Sequence, residues 1–119
     1  MCIRDSLDAA SVWVGVHGGD HEVYPDCRPA YVSAMGLAMH EATEGRVALR
    51  APILHQSKES VVSIGTALGA PLHLTYSCYN GGDVHCGRCG TCVERAKAFA
   101  RAGVPDPTVY ADADYWKGR

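Results

Sequence analysis

Apolar positions change period several times along this chain, and each change predicts an element. Ser11 to Val16 (Ser-Val-Trp-Val-Gly-Val) is a short apolar, β-branched run closed by Gly18-Gly19, the pattern of a buried strand. From Pro29 the period lengthens. Tyr31, Met35, Ala38 and Ala42 fall on one helical face, Pro29 suits the first turn, and Gly45 ends the helix. Val47 to Leu54 predicts a second strand, with Pro52 marking its end or an irregularity within it. Ser57 reads as the N-cap of a second helix. Its apolar positions Val61, Ile64, Gly65 and Leu68 recur at i, i+3, i+4, i+7, and Gly69 followed by Pro71 stops it. Leu72 to Thr75 predicts a short third strand. Val93, Ala96, Phe99 and Ala100 make the apolar face of a last helix, ended by Gly103 and Pro105, and a polar tail carrying Trp116 follows.

Strand–helix–strand–helix–strand means two crossovers and a parallel sheet, an α/β architecture. By the right-handed rule both helices cover one face of the sheet and leave the other bare. The expectation is therefore half of a larger α/β domain, poorly soluble alone. Residues 9–76 form that half and 77–119 a cysteine-bearing segment, helix and tail. Met1 to Ser6 has no periodicity; segment 1–8 reads as non-native or disordered and is set aside.

Composition narrows the class. At 119 residues the chain is one domain or a piece of one. Charged residues at 20% beside 47% hydrophobic argue against disorder. Eleven basic and thirteen acidic side chains leave a charge of −2, so no basic field for nucleic acid or an anionic membrane stands out. No apolar run approaches the roughly 18 residues of a membrane helix, and no secretory h-region precedes Asp8. A soluble, cytoplasmic chain is expected.

The cysteines change that plain picture. Four of six lie within fifteen residues, as Cys78-x7-Cys86-x2-Cys89-x2-Cys92. In a reducing compartment such a cluster points to a metal site rather than to bridges. Two-residue gaps let a knuckle present two thiolates to one ion, and Gly87 and Gly90 suit knuckle backbones. Four protein ligands make one structural Zn²⁺ per chain, with His85 left no vacancy. Arg88, Arg95 and Lys97 are near enough in sequence to offset the charge of four thiolates. An iron–sulfur cluster and metal-free buried or redox cysteines remain alternatives.

Between the first strand and the first helix lies His17-Gly-Gly-Asp-His-Glu-Val-Tyr-Pro-Asp-Cys-Arg28, where open α/β sheets bind ligands. A substrate loop fits best, its carboxylates receiving donor groups and Arg28 an anion. Other readings are a metallohydrolase set of His17, Asp20 and His21, a Cys27 nucleophile activated by Arg28, and a polar surface loop.

Tyr24-Pro-Asp-Cys-Arg-Pro29, taken with Ser77-Cys-Tyr79 and Cys86-Gly-Arg-Cys-Gly-Thr-Cys92, resembles the 7-cyano-7-deazaguanine synthase family. The match runs from Ser11 to Trp116 and includes Ser57-Lys-Glu59 and Gly103-Val-Pro-Asp-Pro107. The resemblance implies a Rossmann-like parallel sheet, here the C-terminal half of an ATP pyrophosphatase fold, with a zinc held by Cys78, Cys86, Cys89 and Cys92. It implies an ATP-dependent ligase that joins 7-carboxy-7-deazaguanine and ammonia and yields the nitrile by adenylating first a carboxylate and then an amide. Asp20, Tyr24, Asp26 and Arg28 become candidates for the deazaguanine pocket. Lys58 becomes the candidate catalytic residue, reaching a phosphate or the departing diphosphate. His40, His55 and His73 are left as surface or packing residues.

Two departures from the family pattern are Ala30, where an acidic residue is usual, and Gly90, where Asp is common. The family's Ser-Gly-Gly-x-Asp-Ser phosphate loop does not occur in this sequence. The expectation is that the ATP site belongs to a missing N-terminal half and that the chain alone is inactive. The sequence leaves a homodimer open. It also leaves open a non-catalytic zinc-ribbon binding module, or another ATP pyrophosphatase-type ligase.

Overall fold

The computed structural model describes residues 8–119; the 1–8 segment set aside above lies, but for Asp8, outside them. The described residues fall into two compact units that meet in sequence between Ser57 and Lys58.

The first unit is a strand–helix–strand crossover. Strand β1 (Ser11–Trp13) pairs in parallel with β2 (Ala48–Arg50), in the register Ser11 with Ala48, Val12 with Leu49 and Trp13 with Arg50. Both strands are shorter than the apolar runs that predict them. Helix α1 (Pro29–Ala42) joins them with Pro29 in its first turn, where a missing N–H costs nothing. Its end is built by Thr43, whose hydroxyl donates to the Met39 carbonyl (2.7 Å) and accepts from the Val47 amide (3.2 Å). Gly45 follows at φ +77°, a left-handed geometry that glycine takes without a Cβ clash. The chain then enters β2 through Val47, 2% exposed.

The face of α1 differs from the expected one. Val32, Gly36, Met39 and Thr43 are its more covered positions, and a Cβ on Gly36 would lie 3.8 Å from the Leu49 side chain. Tyr31 and Met35 remain exposed. This helix carries apolar residues on more than one side, so periodicity alone does not choose the face; the small Gly36 lets β2 choose it.

The second unit packs α2 (Lys58–Ala67) against α3 (Gly90–Ala102). Val62, Ala98 and Phe99 form its core, with Leu72, Ala102 and Val104 against them. On α2 the buried residue is Val62, while the predicted Ile64 and Leu68 face outward, Leu68 at 80% exposure. Helix α3 keeps the predicted Ala96 and Phe99 but turns Cys92 inward instead of Ala100, because Cys92 belongs to the sulfur cluster. Its end follows expectation: Gly103 is left-handed at φ +67°, and the Val104 amide closes on the Phe99 carbonyl (3.1 Å).

The predicted third strand is not one. Leu72–Leu74 is a 3-10 turn. After Pro71 the Leu72 carbonyl is claimed by the Thr75 amide, the Thr75 hydroxyl (2.7 Å) and Arg95 (3.0 Å), leaving no ladder to join. The described sheet therefore has two strands, which remain parallel as an α/β chain requires.

Nor is the segment after Gly103 a loose polar tail. Val104, Asp106, Thr108, Tyr110 and Asp112 alternate as more covered positions with exposed neighbours, the period of an extended chain. His85 and Tyr110 form a parallel bridge, with the His85 amide on Val109 (3.3 Å) and the Ala111 amide on the His85 carbonyl (2.8 Å).

Candidate functional site

The second unit gathers Cys78, Cys86, Cys89 and Cys92 so that all four sulfur atoms lie within 4.8 Å of one another. The Cys86 and Cys92 sulfurs are 3.9 Å apart. Zinc–sulfur bonds of about 2.3 Å in a tetrahedron separate sulfurs by about 3.8 Å, so the set fits one such ion. Three elements supply it: the turn after Ser77, the Cys86-Gly-Arg-Cys89 knuckle, and the first turn of α3. Cys89 is the N-cap of α3 and Cys92 lies one turn inside.

The local backbone is shaped for sulfur. The amides of Arg88 and Cys89 both point at Cys86 Sγ (3.3 Å each), and the Cys86 amide at Cys78 Sγ (3.4 Å). The Thr91 hydroxyl lies 3.2 Å from Cys89 Sγ and 2.7 Å from the Ser77 carbonyl oxygen, tying both arms of the site together. Burial and these contacts pull three of the thiols in different directions. Burial pushes Cys92 up to about 12. Burial also opposes ionisation of Cys89, yet the Thr91 hydroxyl and nearby amides outweigh it and bring that thiol down to about 6. Hydrogen bonding by the Cys86 amide lowers Cys78. Four thiolates this close repel one another unless a cation sits among them, so the donor set suits a divalent metal.

The expected cationic offset takes another form. Arg95 donates to Thr108 Oγ1 (2.6 Å), Thr75 Oγ1 (2.8 Å) and the Leu72 carbonyl (3.0 Å), and lies over the Phe99 ring. Arg88 pairs with Asp112. Both guanidinium groups thus serve the chain around the centre, and backbone amides face the sulfurs. His85 is no ligand: its Nε2 accepts from the Ser77 amide (3.1 Å), and its ring packs between Tyr76 and Tyr110. Burial lowers its pKa, in keeping with a neutral acceptor.

The predicted substrate loop lies in the first unit, as two 3-10 turns, Gly18–Asp20 and Pro25–Cys27. The Gly18 amide donates to Gln56 (2.7 Å), and a Cβ there would sit 3.0 Å from the same carbonyl oxygen. His17 accepts from the Gly19 amide (3.2 Å), and its Nε2 lies 3.3 Å from the Asp20 carboxylate. Arg28 Nε donates to the His21 carbonyl (2.8 Å), drawing the loop toward the start of α1. Tyr24, Asp26 and Arg28 are exposed, and Asp20 is half-buried.

Two alternatives for this loop find no support among the described residues. Burial, with Asp26 and Asp20 nearby, raises the Cys27 thiol, the opposite of an activated nucleophile. The cysteine centre is the one group of three or more metal-type ligands among the described residues, so His17, Asp20 and His21 form no metallohydrolase set. Lys58 opens α2 and pairs with Glu94 of α3 at 2.8 Å. The sequence pattern does not single out Thr91, Asp106 and Asp112. No apolar–polar alternation marks the last two in the sequence, because Asp106 and Asp112 are covered while Pro105, Pro107, Ala111 and Ala113 beside them are exposed.

The family described as "Queuosine biosynthesis protein QueC" matches residues 2–103. The chain belongs to that family. Three relatives, each named 7-cyano-7-deazaguanine synthase, show the extent of the likeness. The one from Rhizobium johnstonii is 55% identical over 111 residues, covering 92% of this chain and 47% of the relative. That from a Ruegeria species is 54% identical over 108 residues, 89% and 46%. That from Ruegeria pomeroyi is 49% identical over 117 residues, 97% and 51%. The chain spans about half the length of the curated relatives it matches. Both motifs that carry the resemblance, Tyr24 to Pro29 and Cys86 to Cys92, lie inside the region matched to the QueC family.

Proposed function

We propose that this chain supplies the substrate loop and the structural zinc centre of a 7-cyano-7-deazaguanine synthase. Such an enzyme is a ligase that uses ATP to convert 7-carboxy-7-deazaguanine and ammonia into the nitrile, with AMP and diphosphate released. The four convergent sulfurs in a QueC-family chain, together with the Tyr-Pro-Asp-Cys-Arg-Pro loop, carry the reading.

A carboxylate oxygen leaves poorly until it becomes part of a mixed anhydride, which is why ATP is consumed. This chain's share is recognition. Asp20 and Asp26 accept from the N–H edge of the guanine-like ring, and Tyr24 stacks on it. With Arg28 Nε committed to His21, the terminal guanidinium nitrogens are the groups that meet the substrate's anion. Lys58 would exchange Glu94 for a phosphate oxygen. ATP is bound chiefly by residues outside this sequence. Cys78, Cys86, Cys89 and Cys92 would hold Zn²⁺, whose role is to fix the knuckle and the start of α3. No helix among the described residues is long and apolar enough to cross a membrane, and a cytoplasmic place suits an enzyme of small-molecule substrates.

The test replaces the matching part of the Rhizobium johnstonii synthase with this chain. Purified chimera should contain about one zinc per chain and form 7-cyano-7-deazaguanine with AMP, detected by mass spectrometry. Asp26→Ala or Arg28→Ala should lower turnover while zinc stays bound, and Cys89→Ser should lose the metal. A folded chimera that binds iron, or that makes no nitrile, would overturn the proposal.

A further inference from the structure

Residues 104–119 lie beyond the region matched to the QueC family, yet they close on the cysteine centre. A Cβ on Gly87, between two ligands, would lie 2.0 Å from the Asp112 carbonyl oxygen. The next residue, Arg88, faces both ways. Its amide donates to Cys86 Sγ (3.3 Å), and its guanidinium makes two contacts of 2.8 Å with Asp112 Oδ2. The other carboxylate oxygen of Asp112 accepts the Asp114 and Tyr115 amides (3.3 and 3.1 Å) and so shapes the final turn. The Tyr115 ring lies under the guanidinium groups of Arg88 and Arg119. A continuous set of bonds therefore runs from a ligand sulfur, through one arginine, to the end of the chain.

We propose that Asp112 is a positioning residue of the metal centre. By holding Arg88 it orients the knuckle amides toward Cys86, so docking of the C-terminal segment and metal binding strengthen each other. The inference rests on the reading that the four cysteines hold a divalent ion. Linkage makes the effect reciprocal: whatever factor the docked segment adds to metal affinity, the metal adds to docking.

The experiment uses the whole 119-residue chain. Zn²⁺ affinity is measured by competition with a chromophoric chelator for the natural sequence, Asp112→Asn, Arg88→Gln and the double variant. Hydrogen exchange of residues 104–116 is followed with and without Zn²⁺. Loss of an outer-shell partner typically costs about 10- to 100-fold in metal affinity, and each single variant should lose that much. The double variant should lose little more, because both substitutions break one bond. Zinc should slow exchange in 104–116 in the natural chain and much less in Asp112→Asn. Arg88→Lys, which keeps the charge without the two-pronged contact, should show a smaller loss and replaces Asp112→Asn if that variant does not fold. Unchanged affinity in folded variants, additive losses, or exchange indifferent to zinc would overturn the coupling while leaving the metal site intact. A natural chain that binds no divalent ion would overturn both.

Discussion

Replacing Gly87 by alanine is the most severe single-methyl change that this structure predicts. Gly87 holds φ +76°, and a side chain in left-handed backbone costs about 1–2 kcal/mol. Its Cβ would meet the Asp112 carbonyl oxygen at 2.0 Å and the carbonyl carbon at 2.8 Å, where ordinary contact begins near 3.4 Å. Neither atom belongs to a flexible side chain, so the knuckle and the Asp112 backbone must part by more than an ångström. That movement strains the contacts of Asp112 with Arg88, Asp114 and Tyr115, each worth about 0.5–1.5 kcal/mol. The expected loss is about 3 kcal/mol, over a hundredfold in the folded-to-unfolded ratio. Gly90 is the internal control. It opens α3 with nothing within 4 Å of its Cβ position and no positive φ, so Gly90→Ala should be neutral or stabilising by up to about 1 kcal/mol. Urea unfolding followed by Trp116 fluorescence, in a Trp13→Phe background and with Zn²⁺ present throughout, measures both. A Gly87→Ala loss below about 1 kcal/mol, or one no larger than that of Gly90→Ala, would refute the close approach.

The same assay reaches two further features. Arg95 has an 11% exposed side chain and three hydrogen bonds to segments far apart in sequence, so Arg95→Met should cost about 2–4 kcal/mol by removing three charge-assisted hydrogen bonds; a change within 0.5 kcal/mol, roughly that of an ordinary surface substitution, would remove its structural role. Burial and the hydrogen bond to Asp106 raise the Tyr110 pKa above its ordinary 10. Unfolded chain then ionises first, so this contribution to stability is present below about pH 10 and fades as pH rises toward the raised folded-state value. Tyr110→Phe should therefore show a shallower alkaline fall in urea midpoint than the natural chain, and parallel pH profiles would exclude the assigned shift.

Local chemistry was enough for several features. Pro29 and Gly103 mark helix ends because each has a backbone preference that operates without tertiary contacts. The cysteine spacing announced a metal-type centre because two-residue gaps bring thiolates together within a single knuckle, whatever surrounds it. The order of short motifs pointed to the family even though the chain matches only half of its relatives' length.

Other features depended on what each surface meets. The buried faces of α1 and α2 are not legible in the sequence because both helices are apolar on more than one side, and Gly36 and Val62 pack inward for reasons held by β2 and α3. Leu72 to Thr75 has strand composition, but β propensity expresses itself only beside a partner strand, and here Arg95 takes a carbonyl that a ladder would use. Cationic neighbours in sequence promised to offset the sulfur charge, yet Arg88 and Arg95 reach residues 24 and 13 positions further along the chain. The sequence by itself determined the donor set, the helix ends and the family. Tertiary structure alone decided which faces are buried and which partners the arginines choose, because those depend on distances between segments remote in the chain.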